Sequence, residues 1–121
     1  NVETPDPDSQ PAGILFRLTK DFLNDTKANT YNAFKTGSVF MEHGKAYFLF
    51  NKYYEDLKTR EWKIDEAETR TMLYDIFKAS PIQRRIFKSN VVRCIQLEMK
   101  LFEQDEPPKE ILEFEDKNEI V

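Results

Sequence analysis

The chain holds one cysteine, one histidine and three glycines. A single cysteine excludes an internal disulfide, and nothing points to an oxidising compartment, so a reducing cytoplasm is expected. Gly13, Gly37 and Gly44 stand too far apart to cradle a phosphate, and no Gly-Lys-Ser/Thr triplet is present. No apolar run reaches the length of a transmembrane helix, so no membrane partner is expected. The N-terminal stretch NVETPDPDSQPA is acidic and polar where a secretory signal needs basic and then apolar residues. The first residue is Asn1 rather than Met, which suggests a fragment of a longer protein or a processed chain. The same composition excludes collagen-like, coiled-coil and disulfide-scaffold proteins.

What is present fits one folded domain. With 121 residues and 13% aromatics, the chain can bury roughly two thirds of its unfolded surface without staples. Charge is unevenly distributed along it. Residues 1–12 carry Glu3, Asp6 and Asp8 beside three prolines and read as a linker. Residues 103–121 carry eight acids and two lysines, with Pro107-Pro108 near the start, and read as an acidic tail. Residues 1–12 and most of 106–121 are expected to lack regular structure on their own. The domain between them, 13–102, is basic by +5 although the whole chain is acidic by -4. Residues 78–100 alone account for +5, through Lys78, Arg84, Arg85, Lys88, Arg93 and Lys100 against Glu98.

Periodicity and turn chemistry predict three helices and two hairpins, an α+β class. Ile14, Leu15, Leu18 and Phe22 stand at helical spacing over 13–27, whereas 28–37 has no clean period. Residues 38–50 read as two strands around His43-Gly44, with Ala46, Phe48 and Phe50 on one face and Lys45, Tyr47 and Leu49 on the other. Asn51 is a plausible N-cap for a second helix to about Glu61, with Phe50, Tyr54 and Leu57 as its inner stripe. Asp65 and Glu68 have capping-box spacing for a third helix to about Ala79, which Ser80-Pro81 would end. Its Met72, Leu73, Ile76 and Phe77 point to one side. Trp62, between these helices, is expected to be buried, and Tyr31, Tyr47 and Tyr53 to be the surface tyrosines. Residues 82–87 and 91–97 read as strands around Lys88-Ser89-Asn90. Helix, hairpin, helix, tight turn, helix and basic hairpin is the layout of a winged helix-turn-helix, the last hairpin being the wing.

No catalytic, cofactor or metal constellation can be assembled. His43 sits at a hairpin tip, Cys94 lies in an apolar strand with no histidine nearby, and Asp65-Glu66-Glu68 is explained by helix capping and the helix dipole. Asn24-Asp25-Thr26 fits a glycosylation acceptor, which means little without a secretory signal. The stretch Gln83-Arg84-Arg85-Ile86-Phe87-Lys88 does suit nucleic acid. Its bases can pair with phosphates, and Phe87 can either stack on an exposed base or lie in the core. Lys78, Arg84, Arg85, Phe87, Lys88 and Arg93 are the candidate DNA-binding residues. The third helix would show Glu68 and Asp75 outward, so the wing would lead and little sequence would be read. The tail, with Ile111, Leu112, Phe114, Ile120 and Val121 among its acids, can dock on a partner's basic groove, fold back on the wing, or act only as a solubilising terminus.

The segment GSVFMEHGKAYFLFNKYYEDLKTREW, the capped helix and the hairpin RRIFKSNVVRCIQL together resemble the C-terminal winged-helix region of replication proteins in phages and mobile elements. The resemblance covers about residues 37–102. It rests on Tyr47, Phe48, Phe50, Leu57, Trp62, Leu73, Arg84, Arg85 and Arg93. It is nearest to the tail of a primase-polymerase of the deep-sea vent phage type, in which this region follows a primase-polymerase domain and a superfamily 3-type helicase domain. The resemblance implies a non-catalytic accessory module, binding DNA without sequence specificity beside the catalytic or helicase domains of its parent chain. The alternative is a protein-interaction or oligomerisation module of the replisome, with the acidic tail as the point of attachment.

Overall fold

A computed structural model describes residues 10–88 and 90–109. The elements run α1 (Pro11–Asp25), α2 (Tyr31–Lys35), β1 (Phe40–Glu42), β2 (Lys45–Phe48), α3 (Phe50–Thr59), α4 (Glu66–Asp75), β3 (Ser80–Arg85) and β4 (Val91–Glu98), closed by a 3-10 turn at Met99–Phe102. The class is α+β, with one four-stranded antiparallel sheet in the order β1-β2-β4-β3. The two expected hairpins are thus halves of a single sheet, joined where β2 pairs with β4. No helix among the described residues is long and apolar enough to cross a membrane.

Local chemistry explains most of the element ends. Proline opens α1 because its fixed φ suits the first helical turn and its missing N–H has no partner there. That start lies inside the stretch expected to be linker. His43 and Gly44 both take positive φ, 53° and 76°, the handedness that a two-residue hairpin turn requires. Asp65 caps α4 by accepting the Glu68 N–H at 2.8 Å. Asn51 is not a cap: Leu49 holds that position on α3, and the Asn51 side chain accepts only from the Lys52 N–H. At the other end of α3 the Glu61 N–H reaches Lys58 O and the Trp62 N–H reaches Leu57 O, with Glu61 at φ 69°. This is a Schellman motif, and it turns Trp62 into the same core as Leu57. The Trp62 Nε1–H then donates to Thr69 Oγ1 at 2.8 Å. Helix α4 stops at Asp75, four residues short of expectation, and Pro81 lies inside β3. An edge strand tolerates proline because one side of its ladder has no partner.

Each face of the sheet has its own core. Helices α1, α3 and α4 cover one, where Leu15, Phe16, Phe22, Leu23, Tyr53, Leu57 and Leu73 meet Ala46, Phe48, Ile95 and Leu97. Tyr53 is fully buried rather than exposed. Its hydroxyl is satisfied by Thr19 Oγ1 at 2.6 Å, which lets a phenol sit among phenylalanines, and burial drives its pKa far above the ordinary value. Helix α2 falls in the segment that shows no period. It is one capped turn, Thr30 accepting from the Ala33 N–H, and it seats Phe34 on the opposite face of the sheet. There Phe34, Tyr47, Ile86 and Cys94 form a smaller core, so Tyr47 too is buried.

The second hairpin curls over this smaller core. Glu42 pairs with Lys45, which pairs with Glu98, whereas Arg84 pairs with Val92. Those two levels lie about 20 Å apart along β4. Even so, Arg84 and Glu42 are joined at 2.7 Å, and Phe87 packs on Phe40 with ring centroids at 4.6 Å. The hairpin therefore bends back across the sheet rather than projecting from it.

The start of the expected acidic tail is tied down. Phe102 stacks on Phe16 at 5.0 Å, and Pro107 is buried. Arg17 holds Glu106 at 2.9 Å, while Lys20 Nζ donates to Gln104 O and pairs with Asp105. This segment packs along α1. The rest of the tail, including Ile111, Leu112, Phe114, Ile120 and Val121, lies outside the described residues, as do linker residues 1–9.

Candidate nucleic-acid interface

The side chains of β3 and β4 alternate between the two faces of the curled hairpin. On the inner face are Ile82, Arg84, Val92 and Cys94, and on the outer face are Gln83, Arg85, Val91 and Arg93. The alternation puts Arg84 and Arg85 on opposite faces of the ladder, yet Arg84, Arg85, Phe87 and Lys88 together line a cleft of about 410 Å³ with Phe40 and Glu42, and Lys78 and Arg93 are not among its lining residues.

Arg84 is half-buried and engaged by neighbours within the protein. Its guanidinium lies 4.5 Å from the Tyr47 ring centre and 5.6 Å from that of Phe40, and it pairs with Glu42 at 2.7 Å. The Glu42 carboxylate raises the Arg84 pKa, against the opposing effect of burial and with help from the Tyr47 hydroxyl. A phosphate would have to displace both a carboxylate and two rings. Phe87 is half-buried, packed edge-on against Phe40, with part of its ring lining the cleft beside Lys88. Lys88 is exposed at the hairpin tip, where Phe87 and Lys88 both take positive φ. Lys78 is exposed in the turn between α4 and β3, also at positive φ.

Arg85 and Arg93 remain on the outer face, both exposed, beside Val91, the one large hydrophobic residue among those described that is well exposed, at 55%. Arg93 also lines a cleft of about 540 Å³ between the hairpin and the start of α3 and flank of α4. Phe50, Arg70 and Tyr74 form the helical wall of that cleft, and Gln83, Arg93 and Ile95 belong to the sheet wall. No carboxylate among the described residues lines it. The Arg70 guanidinium carbon sits over Phe50, 4.3 Å from the ring centre. It also pairs with Glu66 at 3.4 Å, one turn back on the exposed side of α4.

Sequence reasoning missed Arg70. The outward face expected for the third helix contains Glu68 and Asp75 and gives it an acidic character. The Arg70–Tyr74 spacing of four, which puts both on one stripe, was the signal that could have found it. Glu42 was missed as the counter-charge to Arg84 because it lies in the other hairpin, 42 residues away.

The remaining candidates are His43 and Cys94. His43 is exposed in its turn. Burial pushes the Cys94 thiol up to about 11, with Arg84 opposing, so little thiolate exists near neutral pH. Among the described residues no group of three His, Cys, Asp or Glu side chains is arranged to hold a metal ion. Comparison with protein-family models, with curated proteins and with solved structures finds no match for this chain.

Proposed function

We propose that this domain is a non-catalytic, winged-helix-like accessory module that binds nucleic acid without sequence specificity, as part of a phage-type replication enzyme. The observation that carries the binding role is the pairing of Arg93 on β4 with Arg70 on α4 across a cleft whose described lining holds no carboxylate, next to the exposed Arg85. Connectivity supports the winged-helix reading. Leaving aside α2 and β1, the chain runs helix, strand, helix, helix, hairpin, and its first strand pairs with the last rather than with the one between. Helix α4 and the second hairpin would then form the nucleic-acid side. The acids of α4 keep it a weak reader of bases, so affinity rests on arginines meeting phosphates. The parent enzyme would supply the primer synthesis and unwinding.

The test is anisotropy of labelled DNA over a series of salt concentrations. Arg85→Ala combined with Arg93→Ala weakens binding to all sequences alike. It also lowers the salt slope by about 0.9 for each phosphate no longer neutralised. Unchanged affinity and unchanged slope would overturn the DNA reading and favour a replisome interaction module.

A further inference from the structure

Resting on that reading, we infer that the cleft between α4 and the β3–β4 hairpin takes an unpaired base, so that the domain prefers single-stranded nucleic acid to duplex. The cleft's walls present planar groups at a place where charge is already favourable. The Arg70 guanidinium carbon sits 4.3 Å over the Phe50 ring centre while the side chain, which lines the cleft, remains 46% exposed. Phe50 is itself buried and backed by Tyr54, with rings 6.2 Å apart and nearly parallel, so the guanidinium is held by a rigid stack. A guanidinium plane fixed in this way is a stacking surface for a base, as is the half-buried Tyr74 ring one turn further along α4. Arg93 on the facing wall can meet the phosphate of the same nucleotide, and Gln83 offers both a donor and an acceptor to a base edge.

Two features favour a single strand over the alternatives. In a duplex the faces of the bases are covered by their neighbours, and only an unpaired base can place its face on Tyr74 or Arg70. The volume of about 540 Å³ lies within the roughly 300–1,000 Å³ of clefts that enclose small organic ligands, a scale that suits one nucleotide. An acidic peptide would satisfy the two arginines and leave the aromatic wall without purpose.

The experiment compares three labelled probes on the full chain: an oligo-dT strand, the same length of abasic strand, and the oligo-dT·oligo-dA duplex. Oligo-dT binds about tenfold tighter than the abasic strand, as expected for one stacked base. Tyr74→Leu, which keeps apolar bulk without a π-face, and Arg70→Lys, which keeps charge without a plane, each bring oligo-dT toward the abasic value. Tyr74→Leu leaves the duplex unchanged. Equal affinity for oligo-dT and the abasic strand in the wild type overturns the inference, and this comparison does not depend on any variant folding. Tighter binding of the duplex than of oligo-dT overturns it as well. If Arg85→Ala with Arg93→Ala weakens all three probes alike while Tyr74→Leu and Arg70→Lys change none, the basic face binds and the cleft does not. If none of the three probes binds, the nucleic-acid reading falls with it.

Discussion

Arg84 turns inward to Glu42, Tyr47 and Phe40, while Arg85, one residue later, shares its side of the ladder with Val91 and with Arg93 beyond. The two residues have the same chemistry and the same strand. The period of two in an extended chain separates them, and the curl of the hairpin then determines what each face meets. The inner face closes on a core of Phe34, Tyr47, Ile86 and Cys94, and the outer face stays open. Basic residues counted along a sequence therefore overstate a phosphate-binding surface, because some of them serve as the polar rim of a core.

The contrast between the faces is sharpest in stability. Ile86 is fully buried where the hairpin folds onto the sheet, and Ile86→Ala lowers unfolding free energy by about 2–5 kcal/mol in denaturant titration. A loss under about 1 kcal/mol would mean that the inner face is not a core. Next in size is the arginine pair. Arg84→Ala removes one ion pair and two ring interactions, all partly exposed to water, and lowers stability by about 1–2 kcal/mol. Arg85→Ala, measured alongside, stays within about 0.5 kcal/mol. Equal losses from the two would erase the distinction between the faces. The smallest effect is chemical. Cys94 lies on the inner face with its pKa pushed up to about 11, so a thiol reagent reacts slowly with the native protein at pH 8 and quickly once it is unfolded. Rapid native labelling would show that the face opens readily.

Features set by neighbours in the chain were legible in the sequence. The His43-Gly44 turn, the Asp65 cap, the burial of Trp62 and the alternation of β2 all follow from rules that span a few residues. Features set by distant partners were not. Tyr53 reads as a surface tyrosine until Thr19, 34 residues earlier, supplies its hydroxyl with a partner. Helix α2 is a single turn, too short for any period, and it is held by the sheet face it covers. The candidate site divides in the same way. The basic segment 78–100 is plain in the composition, but the assignment of Arg84 inward and Arg93 to the cleft needs the register of β3 on β4, and Pro81 with the imperfect alternation of β3 conceals that register. Arg70 joins the site only because α4 packs beside the hairpin.

The segment across α1 also dictates an order of assembly. Phe16 is covered by Phe102, and Arg17 meets Glu106 across a sequence separation of 89. The helix at one end of the described domain is thus completed by residues near its other end. Until residue 102 emerges, α1 has one aromatic side bare. A chain halted after β4 would hold a paired sheet with Phe16 not yet covered by Phe102, which leaves apolar surface that a chaperone can bind.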